Sequence, residues 1–282
     1  MLFIDSHVHL WNLKQNINSW VLKDNKAKYL PHHFEVSDYL KTKLDPKQII
    51  TVEAADNHYA LNEAIWINNI ILNLAANITL KHIGHIDMLL GHEDFILELE
   101  KYRQFTFIIG FRDILAFSHQ AEYCPYFEDI TLNPTKLLNL TRNLKTLKEN
   151  NYIFSCQMYP DQLLRIYNII TIIKVTCIID HCGLPILNSK FEHRRWLEML
   201  KLYNGVATFK LSGFDINQNQ YQIKRIISDL QKYIAPENII FGSNLPITSI
   251  TIIEKVKDLI CDHYNIRDQH KIIYENANKL FN

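Results

Sequence analysis

The feature that most constrains this chain is the alternation of short β-branched runs with longer segments of helical periodicity. The runs are rich in Ile and Val, and few show the strict polar alternation of half-exposed strands. Continuous apolar runs are typical of parallel strands that are covered on both faces. We therefore predict eight strands, at residues 2–5, 48–54, 82–88, 105–111, 152–158, 174–179, 206–211 and 238–241.

Helical segments follow these strands, and eight strand–helix units are what a (β/α)₈ barrel requires. An open doubly wound sheet is the alternative, but no glycine-rich phosphate loop follows the first strand. We predict an α/β protein, a single-domain TIM barrel over residues 1–282. The predicted helices cover about 58–76, 93–102, 134–150, a segment from Pro160, 191–203, 221–234, 249–264 and 267–280.

The composition limits the classes of partner that this protein is expected to bind. The 30 basic and 30 acidic residues cancel, so no basic field indicates nucleic acid or an anionic membrane. The five cysteines are odd in number and lack a Cys-x-x-Cys pair, which argues against a disulfide framework or a cysteine zinc site. The sequence shows neither a signal-peptide pattern nor a membrane-length apolar run. We expect a cytoplasmic protein that binds a small-molecule substrate.

His7 and His9 follow the first predicted strand. Residues i and i+2 of a strand point to the same side, so both imidazoles are presented together. Imidazole is the usual side chain for metal binding and for proton transfer near neutral pH. An isolated His-x-His is more often a pair of solvated turn residues. Whether this pair is functional therefore depends on which residues lie at the other strand ends.

In such barrels the active site lies at the carboxyl ends of the strands. His181 supplies a third imidazole there, and the Arg112 guanidinium suits a substrate carboxylate or another oxyanion. Several of these residues also have purely structural interpretations, such as ion pairs within the barrel. The polar residues predicted to converge are His7, His9, Glu53, Asp56, Arg112, Asp113, Gln157, Tyr159, Asp180, His181, Lys210, Ser212, Ser243 and Asn244.

Three imidazoles allow two kinds of chemistry. His7, His9 and His181 could hold a divalent metal such as zinc with an open coordination position. Without a metal, the same side chains could polarise a carbonyl and stabilise a developing oxyanion. Two irregular aromatic stretches, 12–47 and 117–129, have the length and composition of pocket walls.

An ordered set of motifs carries a family resemblance. Together they resemble the amidohydrolase-related group (amidohydrolase 2 type) that includes 2-pyrone-4,6-dicarboxylate lactonases and fuconolactone-type sugar lactonases. The resemblance spans nearly the whole chain. The motifs are Ile4–Trp11, Gly110–Arg112, Gln157–Leu163, Ile179–Pro185, Lys210–Gly213, Phe241–Pro246 and Asn276–Leu280.

The resemblance implies a barrel that hydrolyses a lactone or a related ring. It implies that His7, His9 and His181 contact the carbonyl under attack and that Arg112 binds substrate. We add Gln157, Glu53 and Ser212 as predicted substrate-binding residues. Strand five carries Gln157 where metal-dependent relatives carry a histidine, so the resemblance points to a branch thought to work without metal, and we expect no cofactor.

Asn244 departs from the family pattern, which has a general-base Asp at this position. A carboxamide cannot accept a proton at useful pH, and loss of a general base typically costs ~10²–10⁴-fold in rate. His181 or another group could serve as base while Asn244 orients water. The chemistry could instead differ from the family's, or the protein could be a ligand-binding barrel with little or no catalysis. A metal-dependent amidohydrolase or decarboxylase is a further alternative, which Asn244 disfavours, because the resemblance makes the Asp at this position a metal ligand as well.

Overall fold

The computed structural model describes residues 2–23, 29–74, 78–121, 123–214 and 220–282. Within them, eight parallel strands form one sheet whose spatial order follows the chain. The backbone N–H of Asn244 donates to His7 O at 2.7 Å and that of His9 to Leu245 O at 2.8 Å, which brings the last strand against the first. The predicted TIM barrel is confirmed. Its strands are β1 Ile4–Val8, β2 Gln48–Val52, β3 Thr79–His85, β4 Ile108–Ile114, β5 Ile153–Gln157, β6 Cys177–Ile179, β7 Thr208–Leu211 and β8 Ile239–Phe241.

At least one α-helix follows each barrel strand, and a further short helix, Trp20–Lys23, lies between β1 and α1 (Val36–Lys41). Proline occupies the first turn of α4 and α5, where a missing N–H costs nothing. No helix in the described parts of the chain is both long and apolar enough to span a bilayer. The helices are α1 Val36–Lys41, α2 Ala60–Leu72, α3 His92–Glu100, α4 Pro134–Glu149, α5 Pro160–Ile173, α6 Lys190–Tyr203, α7 Gln220–Tyr233 and α8 Ile250–His263, with a C-terminal helical segment over 266–281.

Several predicted strand boundaries are wrong. β1 continues through His7 instead of ending before it. β3 begins three residues earlier than predicted and β4 three residues later, so Arg112 and Asp113 belong to β4 itself. β6 is shorter than predicted because Lys174 ends α5 in the left-handed conformation. The residues outside the described ranges are 1, 24–28, 75–77, 122 and 215–219. Parts of the predicted domain 1–282, of the predicted pocket walls 12–47 and 117–129 and of the predicted helix 58–76 fall on them.

Isoleucines fill the barrel interior. Ile4, Ile50, Ile83 and Ile240 form one buried cluster with Phe281 of the C-terminal segment. The amino ends of the strands are therefore covered by the last helix, and apolar packing occupies the lower barrel. Polar side chains can gather only above this layer, at the carboxyl ends, which is where TIM barrels place their active sites.

A one-residue bulge in β1 determines where its histidines point. Asp5 pairs with Ile49 of β2, yet Val8 pairs with Thr51, so β1 contains one extra residue. Ile4 faces the interior, and strict alternation from it would turn His7 outward. The bulge reverses the alternation, so Val8 joins the outer core while His7 meets Arg112 inside. Bulges commonly re-aim side chains in this way.

Gly242 permits the close approach of the chain after β8 to this bulge. A Cβ atom at Gly242 would lie 2.6 Å from His7 Cβ and 3.0 Å from His7 N. We expect Gly242→Ala to lower the free energy of unfolding by about 1–3 kcal/mol, because backbone must move to relieve the contact. Chemical denaturation measures the effect.

The matched control is Gly84→Ala in β3, where the nearest atom to the added Cβ is a Phe111 ring carbon at 3.6 Å. This variant should keep the parent's stability within about 1 kcal/mol or exceed it. Equal losses in the two variants would contradict the packing account.

Candidate active site

The three predicted imidazoles lie together at the carboxyl end of the barrel. Nε2 of His7 is 3.1 Å from Nε2 of His9. The ring of His7 also lies 4.7 Å, centroid to centroid, from that of His181. His7 is fully buried and His9 nearly so, whereas His181 is partly exposed. Access from solvent therefore reaches His181 first.

The hydrogen-bond partner of His9 fixes its tautomer. Nδ1 of His9 is 3.0 Å from the carbonyl oxygen of Val52. A carbonyl only accepts hydrogen bonds, so Nδ1 carries the hydrogen and Nε2 of the neutral ring is bare. The contact between Nε2 of His9 and Nε2 of His7 is then a hydrogen bond only if Nε2 of His7 carries the hydrogen.

All three rings are held in the neutral form. Burial, then Lys210 and the other nearby cationic groups, set the pKa of His7 well below 6.5. Burial, followed by Arg112, lowers the pKa of His9 to about 3. Burial lowers the pKa of His181 to about 4, although Asp180 opposes the shift. Neutral imidazoles can donate or accept single hydrogen bonds at neutral pH without attracting a counter-anion.

Arg112 is buried in a network rather than open to solvent. Its Nε donates to Glu53 Oε1 at 2.8 Å, and its Nη2 donates to the Glu53 carbonyl oxygen at 2.9 Å. Nη1 has longer contacts, 3.3 Å to Gln157 Oε1 and 3.5 Å to His7 Nε2. All three guanidinium nitrogens thus have partners, Nε and Nη2 at short distances and Nη1 at longer ones, and Nη1 is the one directed at the histidines. Although burial opposes the charge, Glu53 and Asp180 raise the pKa of Arg112.

Asp180 and Lys210 form a second buried ion pair beside the first. Lys210 Nζ lies 2.7 Å from Asp180 Oδ1, and both side chains are fully buried. Ser155 Oγ donates to the other carboxylate oxygen at 3.0 Å. Burial raises the pKa of Asp180, but Lys210 and the neighbouring cations outweigh it and hold that pKa below 3.8. The sequence predicts Lys210 among the converging polar residues, with an ion pair to a neighbouring carboxylate as its structural interpretation, and the structure has this ion pair.

His181 is held by Ser212 and accommodated by Gly213. Nδ1 of His181 is 3.0 Å from Ser212 Oγ. The His181 backbone has a left-handed conformation, φ 51° and ψ 45°, which non-glycine residues rarely adopt. A Cβ atom at Gly213 would lie 2.3 Å from Nδ1 of His181, so only glycine leaves room for the ring.

Asn244 comes three positions after the end of β8 and lies beside β1. Its backbone has φ 59°, and its N–H bonds to His7 O, which ties it to β1. Its Oδ1 is buried and accepts no hydrogen bond from any described residue. Buried polar atoms are rarely left so, and one at the same end of the barrel as the imidazoles is a candidate acceptor for a bound molecule.

Two of the predicted site residues bond to backbone away from the histidines, and one residue that was not predicted as a site residue contacts the site. Asp113 accepts from the Met88 N–H and Asp56 from the Ser19 N–H, so neither joins the histidines in the structure. Gln157 Nε2 reaches the Tyr123 hydroxyl at 3.4 Å. Tyr123 was predicted only as part of an aromatic wall over 117–129. No sequence signal distinguished it from the other aromatics there.

The donor set does not fit a divalent metal. The described residues contain no group of three or more His, Cys, Asp or Glu side chains arranged for one. Arg112 Nη1, a cation, lies 3.5 Å from Nε2 of His7, where a metal would need that lone pair. The β8 position offers the Asn244 carboxamide instead of a carboxylate. Cationic and amide neighbours of this kind disfavour a bound dication.

The family follows from a sequence comparison. A family model described as Amidohydrolase matches residues 82–282. The chain belongs to the amidohydrolase family. No curated protein sequence matches it.

Solved structures agree in fold. A Burkholderia multivorans amidohydrolase with bound zinc aligns with a TM-score of 0.79 at 16% identity, over 100% of this chain and 99% of the other. A probable 2-pyrone-4,6-dicarboxylic acid hydrolase from Acinetobacter baumannii with bound citric acid gives 0.66 at 16% identity, over 100% and 99%. A Polaromonas dihydroxybenzoic acid decarboxylase with bound manganese and an inhibitor gives 0.67 at 14% identity, over 99% and 96%. A zinc-bound amidohydrolase, a probable hydrolase with bound citric acid and a manganese-bound decarboxylase therefore share this fold.

The buried guanidinium predicts a large stability effect. Arg112→Met leaves the Glu53 carboxylate buried without its partner, so we expect unfolding free energy to fall by about 3–5 kcal/mol. The control is Arg103→Met, which removes a mostly exposed pair with Glu100 and should cost about 0–1 kcal/mol. Urea denaturation compares the two. Similar losses would show that Arg112 is not the centre of a buried network.

Proposed function

We propose that this amidohydrolase-family protein is a hydrolase that opens a small lactone by attack of water. The observation that carries the proposal is the cluster of three neutral imidazoles beside Arg112 Nη1 at the carboxyl end of the barrel. Neutral hydrogen-bonding groups and one directed cation suit a carbonyl that becomes an oxyanion. The motif resemblance to lactonases supports the cyclic ester as substrate.

His7 and Arg112 stabilise the carbonyl oxygen in this proposal. His7 Nε2–H and Arg112 Nη1–H lie on one side of the cluster, 3.5 Å apart. Arg112 Nη1–H can donate to an oxygen that gains negative charge as water adds. His7 Nε2–H donates to His9 Nε2 in the resting protein and can share its hydrogen with that oxygen. Their burial matters, because donors held in place and shielded from water stabilise an oxyanion far better than solvated ones. Removing one such donor typically costs ~10²–10³-fold in kcat.

His181 activates the water. In the neutral base form, Nδ1–H donates to Ser212 Oγ and Nε2 is left bare to accept a proton. A pKa of about 4 keeps this nitrogen unprotonated at neutral pH. Asn244 Oδ1, the unpartnered acceptor next to β1, accepts a hydrogen bond from the same water and orients it. Asn244 thus positions the nucleophile without removing its proton.

The atoms balance over two steps. Water oxygen bonds to the carbonyl carbon while its proton passes to His181 Nε2, and His7 and Arg112 hold the resulting oxyanion. The ring C–O bond then breaks, and the imidazolium of His181 returns its proton to the leaving alkoxide oxygen. The product is a hydroxy acid, and the protein ends in its starting protonation state.

Glu53, Gln157 and Ser212 support the substrate-contacting groups. Glu53 orients Arg112, and Gln157 accepts from Arg112 Nη1 while its amide reaches Tyr123. We propose that Gln157 and Arg112 Nη1 also bind a carboxylate or hydroxyl substituent of the substrate. Arg112 offers one nitrogen rather than a bidentate pair, which favours a small, weakly anionic substrate.

A panel of lactones tests the proposal, using purified protein with and without chelator and added zinc. We expect hydrolysis of at least one member, unaffected by chelator, with kcat reduced ~10²–10³-fold in His7→Asn and His181→Asn. The control is His82→Asn in β3, a buried histidine whose Nδ1 bonds to Thr51 and not to the cluster.

Full activity in both cluster variants would remove the assignment of His7 and His181. Activity that depends on stoichiometric zinc would favour the metal-dependent alternative, an amidohydrolase or a decarboxylase. Absence of hydrolysis across the panel would overturn the lactonase proposal.

A catalytically silent ligand-binding barrel is the second candidate, and the carboxamide at position 244 favours it. Asn244→Asp distinguishes the two. In a working hydrolase whose base is His181, the carboxylate changes kcat by less than ~10-fold. In a silent barrel that lacks only its base, it creates hydrolysis of ~10²-fold or more above background. Steady-state rates on the same lactone panel measure the difference.

A further inference from the structure

Three buried polar groups meet behind His7, on the side away from His9. Nδ1 of His7 lies 3.8 Å from Asp180 Oδ1, and Lys210 Nζ lies 2.7 Å from that same oxygen. Among the described residues, nothing hydrogen-bonds to Nδ1 of His7. The carboxylate oxygen therefore stands between an ammonium group and an imidazole nitrogen, and the proposed mechanism has not used the ammonium group.

His7 has two neutral tautomers, and different neighbouring groups favour the hydrogen on different ring nitrogens. With the hydrogen on Nε2, His7 donates to the bare Nε2 of His9 at 3.1 Å. With the hydrogen on Nδ1, two lone pairs would face each other across that short contact. Two groups, however, favour a hydrogen on Nδ1: the Asp180 carboxylate attracts it there, and the Arg112 Nη1 donor, 3.5 Å from Nε2, favours a bare nitrogen at Nε2. The tautomer that is populated determines whether Nε2 of His7 can donate a hydrogen bond or only accept one.

We propose that Lys210 is a positioning residue that locks His7 in the Nε2–H tautomer by neutralising Asp180. Its ammonium occupies the carboxylate oxygen nearest Nδ1, so that oxygen no longer draws a hydrogen onto His7. A positive charge on this side also favours a bare Nδ1 lone pair. His9 acts from the other side, because the Val52 carbonyl fixes its hydrogen on Nδ1 and leaves Nε2 as an acceptor.

The consequence for chemistry rests on the proposed function. The locked tautomer keeps a hydrogen on Nε2 of His7, which donates to His9 Nε2 in the resting protein and is shared with the carbonyl oxygen once substrate binds. Without Lys210, the hydrogen moves to Nδ1, and Nε2 presents a lone pair to an oxygen that is becoming negative. Lys210 itself is fully buried and does not reach the substrate, so its effect passes through Asp180 and His7.

Nitrogen-15 NMR of histidine-labelled protein tests the tautomer without any substrate. Protonated and bare ring nitrogens have well-separated shifts, and the His7 signals are assigned by their loss in His7→Asn. In the parent protein we expect Nε2 protonated and Nδ1 bare at neutral pH. In Lys210→Met we expect the hydrogen on Nδ1. In Asp180→Asn, and in the double variant Lys210→Met/Asp180→Asn, we expect Nε2–H again, because no unpaired carboxylate remains.

The matched control is Lys257→Met. Lys257 is a half-buried lysine of α8 whose ammonium lies over the Phe3 ring, outside the barrel. Its removal should leave the His7 tautomer unchanged. Nδ1–H on His7 in the parent protein would overturn the proposal, and so would an unchanged tautomer in Lys210→Met. If Lys210→Met does not fold, the spectrum of the parent protein still tests whether His7 carries its hydrogen on Nε2. A double variant with the hydrogen on Nδ1 of His7 would also overturn the proposal.

Steady-state kinetics on a lactone that the panel shows to be hydrolysed separate this proposal from the proposed function. Lys210→Met should lower kcat ~10²-fold with a smaller change in KM, because the lost donor acts mainly in the transition state. The double variant should recover most of that loss. If no lactone is hydrolysed, the proposed function fails while the NMR result still decides the tautomer lock. Recovery of the tautomer without recovery of kcat would overturn the link between them.

Discussion

The site depends on a charge balance between two buried cations and two buried anions. Arg112 pairs with Glu53 and Lys210 with Asp180, and all four side chains lie inside the carboxyl end of the barrel. Unpaired, any one of them would cost several kcal/mol to bury. Paired, they form a neutral set next to the histidines that still has a strong local field. That field, added to burial, keeps the imidazoles uncharged and fixes their hydrogen positions.

Backbone geometry brings these charges to the histidines. The bulge in β1 turns His7 inward, and Gly242 lets the chain after β8 pass within contact of it. His181 reaches the same place from β6 through a left-handed turn that Gly213 accommodates. Each of these local features costs some stability by itself. Together they place three rings from two strands in contact, which no regular strand ending would do.

The sequence was sufficient to predict the barrel and the convergence of its strand ends, because both follow from periodicity and topology. It was insufficient to place the bulge, since a one-residue register change leaves the apolar pattern of β1 acceptable. The pairing of Arg112 with Glu53, 59 positions apart, leaves no local pattern either. Asn244 was predicted at the correct strand end. Its unpartnered oxygen depends on the packing of its neighbours, which single-sequence reasoning does not resolve.

The central claim is that a neutral, charge-balanced histidine cluster binds the carbonyl of the substrate. The most direct measurement is a crystal structure with a lactam analogue of the best lactone substrate, since the amide resists hydrolysis but presents the same carbonyl. The account predicts the lactam oxygen within hydrogen-bonding distance of His7 Nε2 and Arg112 Nη1, with His181 facing the carbonyl carbon. A lactam bound elsewhere would contradict it, for example in the cavity of about 860 Å³ lined by Asn276 and Phe281 at the amino end of the barrel.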